Sequence, residues 1–262
     1  MTKPSTFVWS IIVFCLFGLL TSCAQNKVQT RGTFAPDASL YSGGVIQVYA
    51  ARTKGAKGSV AVHTWISTKK TTDDHYTSYE IIGWKLRRND TALVVRNNLP
   101  DRDWWGQQPE LLLDYREQNV DVLIDRIKQA VDDYPYKNEY QAYPGPNSNT
   151  FTATIAAKVP ELGLDLPSTA IGKDYKSLGN AFGMSPSGTG IQASFFGLLG
   201  LTLGYEEGIE LNILGLNLEL DIFDLAIELP AIGRIGGAPV KPLSNENIST
   251  ENSSNVNTPV TD

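Results

Sequence analysis

The sequence predicts an α+β fold, an antiparallel sheet with packed helices, continued at its C-terminal end by glycine-rich β structure. Three observations predict it. β-branched and aromatic runs bounded by turn residues fill the first third, helical periodicity follows, and alternation interspersed with glycine fills the last third. Composition sets the outer bounds. Of 262 residues, 42% are hydrophobic and 19% charged, with a net charge of −6. That balance excludes a basic nucleic-acid binder and a charge-swollen disordered chain. Two Cys, two His and two Met exclude a disulfide scaffold and argue against an all-protein zinc or copper centre, and no cofactor is expected.

Taken in order, residues 45–51 (VIQVYAA) and 59–67 (SVAVHTWIS) read as strands joined by a turn at 55–58. Residues 79–84 and 92–96 extend the sheet. Gln108-Pro109-Glu110 reads as a helix start ahead of 120–131, where Val120, Leu123, Ile124, Ile127 and Val131 recur on one helical face. Tyr134-Pro135 stops that helix. Residues 148–159 read as a second helix, capped by Asn147 or Ser148 and ended by Pro160. Residues 188–237 hold ten glycines, and Leu216, Leu218, Leu220 and Ile222 alternate with Asn217, Glu219 and Asp221, the pattern of antiparallel strands. Residues 191–204 are apolar but broken by Gln192, Ser194 and Thr202. With no uninterrupted run of about 20 apolar residues, they read as a core hairpin rather than a segment grazing a bilayer.

The N-terminus reads as an address. Lys3 precedes an apolar run of 14 residues, 7–20, that fits a secretory leader. Leu20-Thr21-Ser22-Cys23 resembles the bacterial lipobox, in which the thiol takes a diacylglycerol and the peptide is cut just before it. The resemblance implies a mature chain beginning at lipidated Cys23, held on a membrane by its acyl chains. It further implies the outer membrane, facing the periplasm, because Ala24 and not Asp follows the Cys. Cys15 then leaves with the leader, so no thiol remains for a disulfide or a nucleophile. The domain plan is a leader at 1–22, a lipidated tether at 23–40, one α+β domain at 41–237 and a polar tail at 238–262. The tail is dominated by Asn, Ser and Thr and buries too little to offset its ordering entropy.

Catalytic candidates are few. His63 lies mid-strand on the face of Ala61 and Trp65. Glu80, in the next strand among Tyr79, Ile81 and Ile82, is either solvent-facing or buried with a partner. Downstream, Tyr143-Pro144-Gly145-Pro146 leads to Asn147-Ser148-Asn149 at a helix start, where free N–H groups and the helix dipole favour an anion or developing oxyanion. Tyr143, Asn147 and Asn149 are expected to support a cleft around Ser148. The set admits two functions. Either Ser148, His63 and Glu80 form a nucleophile, base and orienting acid, or Asn147 and Ser148 cap a helix while His63 is a hydrogen-bonded core residue. Trp84, Trp104 and Trp105 invite stacking on a sugar, although a buried Trp is the commoner outcome. Tyr134, Tyr136, Tyr140 and Tyr143 read as packing the helix onto the sheet. Ser67-Thr68-Lys69-Lys70 matches S-x-x-K without its companion motifs and reads as solvated loop. His75, beside Asp73 and Asp74, reads as a surface residue. Residues 186–190 (PSGTG) lack the Lys of a phosphate loop and have a pocket wall as their other use.

A strand His, an acid on the next strand and a helix-opening nucleophile together resemble the circularly permuted branch of the NlpC-like, papain-like hydrolases. There a helix begins Asn-Cys-x-Thr, followed by an aromatic residue. Asn147-Ser148-Asn149-Thr150-Phe151 matches that block with Ser148 in place of the Cys. Over about residues 45–159 the resemblance implies a permuted papain-like core, with Ser148 as nucleophile, His63 as general base and Glu80 orienting its imidazole. The serine departs from the pattern. A Cys beside His at a helix start is largely thiolate, whereas Ser must give up its proton during attack.

Residues 41–237 are also similar to an uncharacterised bacterial lipoprotein family, through GPNSNTF (145–151), LPSTAIGKDY (166–175), PSGTG (186–190) and ELNILGL (210–216). That family carries no assigned activity. The expected function is a lipid-anchored cell-envelope hydrolase or acyltransferase acting on peptidoglycan peptides or acyl groups. The alternative is a non-catalytic envelope lipoprotein that binds a ligand or partner in the same cleft. Expected partners are the membrane, through the anchor, and peptidoglycan or an envelope protein, with no nucleic acid.

Overall fold

The computed structural model describes residues 34–222, 225–229 and 232–237. The expected leader, Cys23 with the tether up to residue 33, and the polar tail lie outside the described residues.

Five strands form the first sheet: β1 (Val45–Arg52), β2 (Val62–Lys69), β3 (Thr77–Ile81), β4 (Leu93–Asn97) and β5 (Glu110–Tyr115). They are antiparallel in the order β4-β3-β2-β1-β5. β1 and β2 are buried at nearly every position because both faces of the sheet centre are covered. On one face lie α1 (Val120–Asp132) and α2 (Ser148–Lys158), which bring Leu123, Ile127, Phe151 and Ile155 against Ile46, Val48 and Ile66. On the other, Tyr49, Trp65, Ile82 and Trp104 form a smaller aromatic core. α1 buries the five residues its spacing selects. α2 starts at the expected cap, with Asn147 Oδ1 accepting from the N–H groups of Asn149 and Thr150.

Several boundaries differ from expectation. Residues 108–110 open no helix: Glu110–Tyr115 is β5, zipped to the free edge of β1. Three consecutive leucines carry neither period, so the open edge decides. Residues 59–61 fall outside β2, because a 3-10 turn at Gly55–Ser59 precedes it. β3 ends at Ile81, and after Ile82 Gly83–Arg87 turns away in a 3-10 helix. Ser67, Thr68 and Lys69 are not solvated loop but buried members of β2. Lys69 Nζ donates to the carbonyls of Gly43 and Lys70 at 3.1 and 3.2 Å, which lets its stem stay buried. Residues 34–40 dock on the first sheet: the N–H groups of Phe34 and Ala35 donate to Asp101 Oδ2, and the Phe34 ring packs against Tyr49.

The second sheet takes up the last third: β6 (Phe182–Met184), β7 (Gly190–Phe195), β8 (Leu199–Gly204), β9 (Gly208–Ile213), β10 (Leu216–Asp221), β11 (Ala226–Leu229) and β12 (Gly233–Ile235). They pair in sequence order, all antiparallel. Alternation is as expected, but its sense is reversed. The hairpin at 191–204 does not enter the core, since Ile191, Phe195, Leu199, Leu201 and Leu203 are exposed while Gln192, Ser194 and Thr202 are buried. The reversal has a cause inside. Residues 165–174 run beneath the sheet and offer it charged groups: Lys173 Nζ meets Glu210 at 2.6 Å, and Asp174 accepts from Gln192, Asn212 and Asn217. The fold is α+β and dominated by its two antiparallel sheets. Among the described residues no helix is long and apolar enough to cross a membrane.

Candidate active site

Alternation along β2 sends His63 and Trp65 to one side, where the aromatic core lies. The His63 ring stacks on Trp104 with centroids 3.7 Å apart and planes at 7°. Its Nε2 hydrogen-bonds Glu80 Oε2 at 2.9 Å. Glu80 is fully buried, which resolves the choice posed by its apolar strand in favour of a partnered acid. Its second oxygen is clamped by two guanidiniums, Arg96 from β4 and Arg102, the latter at 2.5 Å. Arg102 also lies over the Trp65 ring, 4.7 Å from its centroid.

Burial is the leading influence on His63 and lowers its pKa. Glu80 opposes that effect, and Arg102 and Arg96 add to it. Glu80 itself is held below the usual carboxylate range: burial works upward, but His63 and the two arginines outweigh it. The imidazole is thus a neutral base at ordinary pH, with Nε2 committed to Glu80. Nδ1 takes no hydrogen bond from the described residues.

Ser148 is the first residue of α2, beside the cap. Asn147 Oδ1 consumes the N–H groups of Asn149 and Thr150, and Thr150 Oγ1 accepts from Asn147 N, completing a capping box. The Ser148 N–H is left over at the positive end of the helix. Asn147 Nδ2 and Asn149 Nδ2 both donate to the Ile171 carbonyl, at 3.0 and 2.8 Å. Asn149 also reaches β2, donating to Val62 O and accepting from Thr64 Oγ1. Gly172, at φ +93°, lies so close that a Cβ there would fall 2.3 Å from Asn147 Nδ2. The two asparagines therefore fix the helix start against the strand that carries His63.

His63 and Ser148 line one pocket of about 450 Å³, together with Trp84, Trp104, Trp105 and Tyr143. No hydrogen bond joins His63 to Ser148 among the described residues. Tyr143 is partly exposed at the pocket and donates its hydroxyl to Leu214 O at 2.7 Å. The tyrosines divide: Tyr134 is buried edge-on against Phe151, whereas Tyr140 and Tyr143 are pocket walls. The tryptophans divide as well, with Trp104 buried and Trp84 and Trp105 exposed. Residues 186–190 do not wall this pocket. Pro186 borders a separate groove of about 340 Å³, and Ser187 binds Glu207. His75 pairs with exposed Asp74, away from the site.

Arg96, Arg102 and the stacking role of Trp104 escape sequence reasoning. Arg96 had a signal, since its strand alternates toward β3 with Ser78 opposite it. Arg102 comes from a loop whose path no periodicity encodes.

A family described as protein of unknown function (DUF3750) matches residues 43–175, about half of the chain. No curated protein and no solved structure matches.

Proposed function

The chain belongs to the DUF3750 family, proteins of unknown function, and on that footing we propose a lipid-anchored cell-envelope hydrolase or acyltransferase. One arrangement carries this reading: His63 is bonded to Glu80 through Nε2, and it shares a pocket with the helix-opening Ser148. In this mechanism Ser148 Oγ attacks an acyl carbon and passes its proton to His63 Nδ1. Glu80 holds the imidazolium through Nε2, and the Ser148 N–H faces the developing oxyanion. His63 then protonates the leaving group, which departs and leaves an acyl-serine. Water, or the hydroxyl or amine of an acceptor, attacks that ester with His63 again as base. The acyl–Oγ bond then breaks and His63 returns the proton to Ser148 Oγ. The aromatic walls suit an acyl group better than a charged peptide, so acyl groups are the better of the two substrate classes.

The fold is read on the same terms as a permuted papain-like core. Support comes from the element order: a strand with the base, a neighbouring strand with the acid and a later helix opening on the nucleophile. The faces differ from that core, because Thr64 of β2 faces α2 while His63 turns to the aromatic side and meets Ser148 only at the shared pocket. The anchor rests on the apolar run at 7–20 and the lipobox-like residues ending at Cys23.

One observation favours a second reading, a non-catalytic binding protein. The cap residues are fully occupied in scaffolding, and Ser148 has no hydrogen bond to His63. A serine-directed fluorophosphonate separates the two. The enzyme reading expects labelling of the wild type, none in Ser148→Ala, and a rate about 10²–10⁴ lower in His63→Ala. A folded wild-type chain that takes no label leaves the binding reading.

A further inference from the structure

The second sheet is inside out for a surface meant to face water. Its registers align whole rows of one character. Gln192, Thr202, Glu210, Glu219, Glu228 and Arg234 stand side by side on the inward face. One residue along, Ile191, Leu203, Ile209, Leu220, Ile227 and Ile235 form the matching outward row, and each is exposed. A parallel row contains Leu201, Leu211 and Leu218. Among the described residues of these strands no charged side chain lies on the outward face. An apolar patch of this extent marks an interaction surface.

The apolar surface also wraps both ends of the sheet. The turns between β7 and β8, β9 and β10, and β11 and β12 lie at one end and expose Phe196, Leu198, Leu214 and Ile232, the last two at 63% and 68%. At the opposite end the turns expose Tyr205, Ile222 and Leu225. A second copy packed face to face would cover the strands but leave the apolar turns in water. A lipid bilayer covers both. Strands of six residues rise about 20 Å, short of the roughly 9–11 residues a spanning strand needs, so the sheet suits one leaflet.

We propose that this sheet seats on a lipid bilayer, with the outward rows of Ile and Leu and the flanking apolar turns against acyl chains. The pocket then lies at the membrane surface, because Tyr143 bridges its wall to Leu214 in one of those turns. The anchor is consistent in length: the 11 peptide steps from Cys23 to Phe34 reach at most about 40 Å. Only the reach of the anchor rests on the lipidated Cys23 of the proposed function; the sheet carries the rest.

The test uses the full chain with Cys15→Ser and Cys23→Ser, which removes acylation, and adds single Leu211→Cys, Leu214→Cys or Val122→Cys changes. Each is labelled with bimane and mixed with phosphatidylethanolamine–phosphatidylglycerol vesicles carrying doxyl-labelled acyl chains. Loss of most fluorescence at 211 and 214, with none at the exposed α1 position 122, supports the seat. Three further outcomes overturn it: no quenching at 211 and 214, equal quenching at all three positions, or shielding of 211 from aqueous iodide without doxyl quenching, the mark of a second copy. Acylation of Cys23 is read separately, as palmitate incorporated by the wild type and lost in Cys23→Ser.

Discussion

Glu80 faces one imidazole and two guanidiniums, and that ratio limits what His63 can do. A carboxylate paired only with His63 would favour the imidazolium. Here Arg96 and Arg102 share the carboxylate, and their own charges repel a proton on the ring. With burial the largest influence and the arginines adding to it, His63 is available as a base below its ordinary pKa of about 6.5 but is a weak one. Removing one cation should lessen this effect. Arg102→Gln is expected to raise the His63 pKa and move the acid limb of the fluorophosphonate labelling rate toward higher pH. Titration of the His63 ring protons by NMR reads the same shift without requiring reactivity; an unmoved or lowered pKa would refute the account. The pairing of His63 with Glu80 was legible, since both sit in adjacent strands with an acid that needed a partner. The clamp was not, because Arg102 arrives from a loop and Trp104 is stacked by tertiary packing.

At the scale of elements, the strands and helices with a clear period were legible, and the direction of burial in the second sheet was not. Alternation tells which residues share a face, but not which face turns inward. Ordinarily the apolar set is inward. Residues 165–174 override that by placing Lys173 and Asp174 beneath the sheet. The inward row then juxtaposes Glu210, Glu219 and Glu228 on adjacent strands. Lys173 keeps its charge: burial opposes it, but the acids around it, Glu210 and Asp174 foremost, outweigh burial and hold its pKa well above the usual value. Glu219 differs, because neither of its oxygens takes a hydrogen bond. Burial pushes it up to about 8, with Glu228 and Glu210 adding and Lys173 and Arg234 opposing. A carboxyl that keeps its proton in the fold and loses it when unfolded stabilises the fold fully only below the ordinary carboxyl range. That contribution fades as pH rises through about 8. Thermal melts should therefore fall in Tm from mildly acidic pH to pH 8, and Glu219→Gln should lessen that slope, the remainder belonging to Glu210, which burial also pushes up to about 8. An unchanged slope in the variant would locate the titration elsewhere.

The molecule as a whole joins two unlike halves through one segment. The family match ends at residue 175, just past the stretch that lies beneath the second sheet. Residues 171–172 meanwhile hold the cap of α2, with Ile171 O accepting from Asn147 and Asn149 and Gly172 O from Thr150. Consecutive residues thus serve the candidate site and the polar interior of the sheet, which predicts that the halves unfold together. Trp65, Trp84, Trp104 and Trp105 all lie in the first half, so in a chain carrying Trp9→Phe tryptophan fluorescence reports that half alone, while far-UV circular dichroism is weighted by both sheets. In that chain the two urea transitions should coincide. Lys173→Ala leaves Glu210 and Asp165 buried without their cation, a loss on the order of 3–5 kcal/mol for a broken buried pair. Its damage falls on the sheet side of the segment, because the contacts of Ile171 and Gly172 with the cap remain. The dichroism transition should then move to lower urea ahead of the fluorescence transition. Separate transitions without the Lys173 change, or a variant whose two transitions shift in step, would mean that Lys173 does not connect the halves in this way.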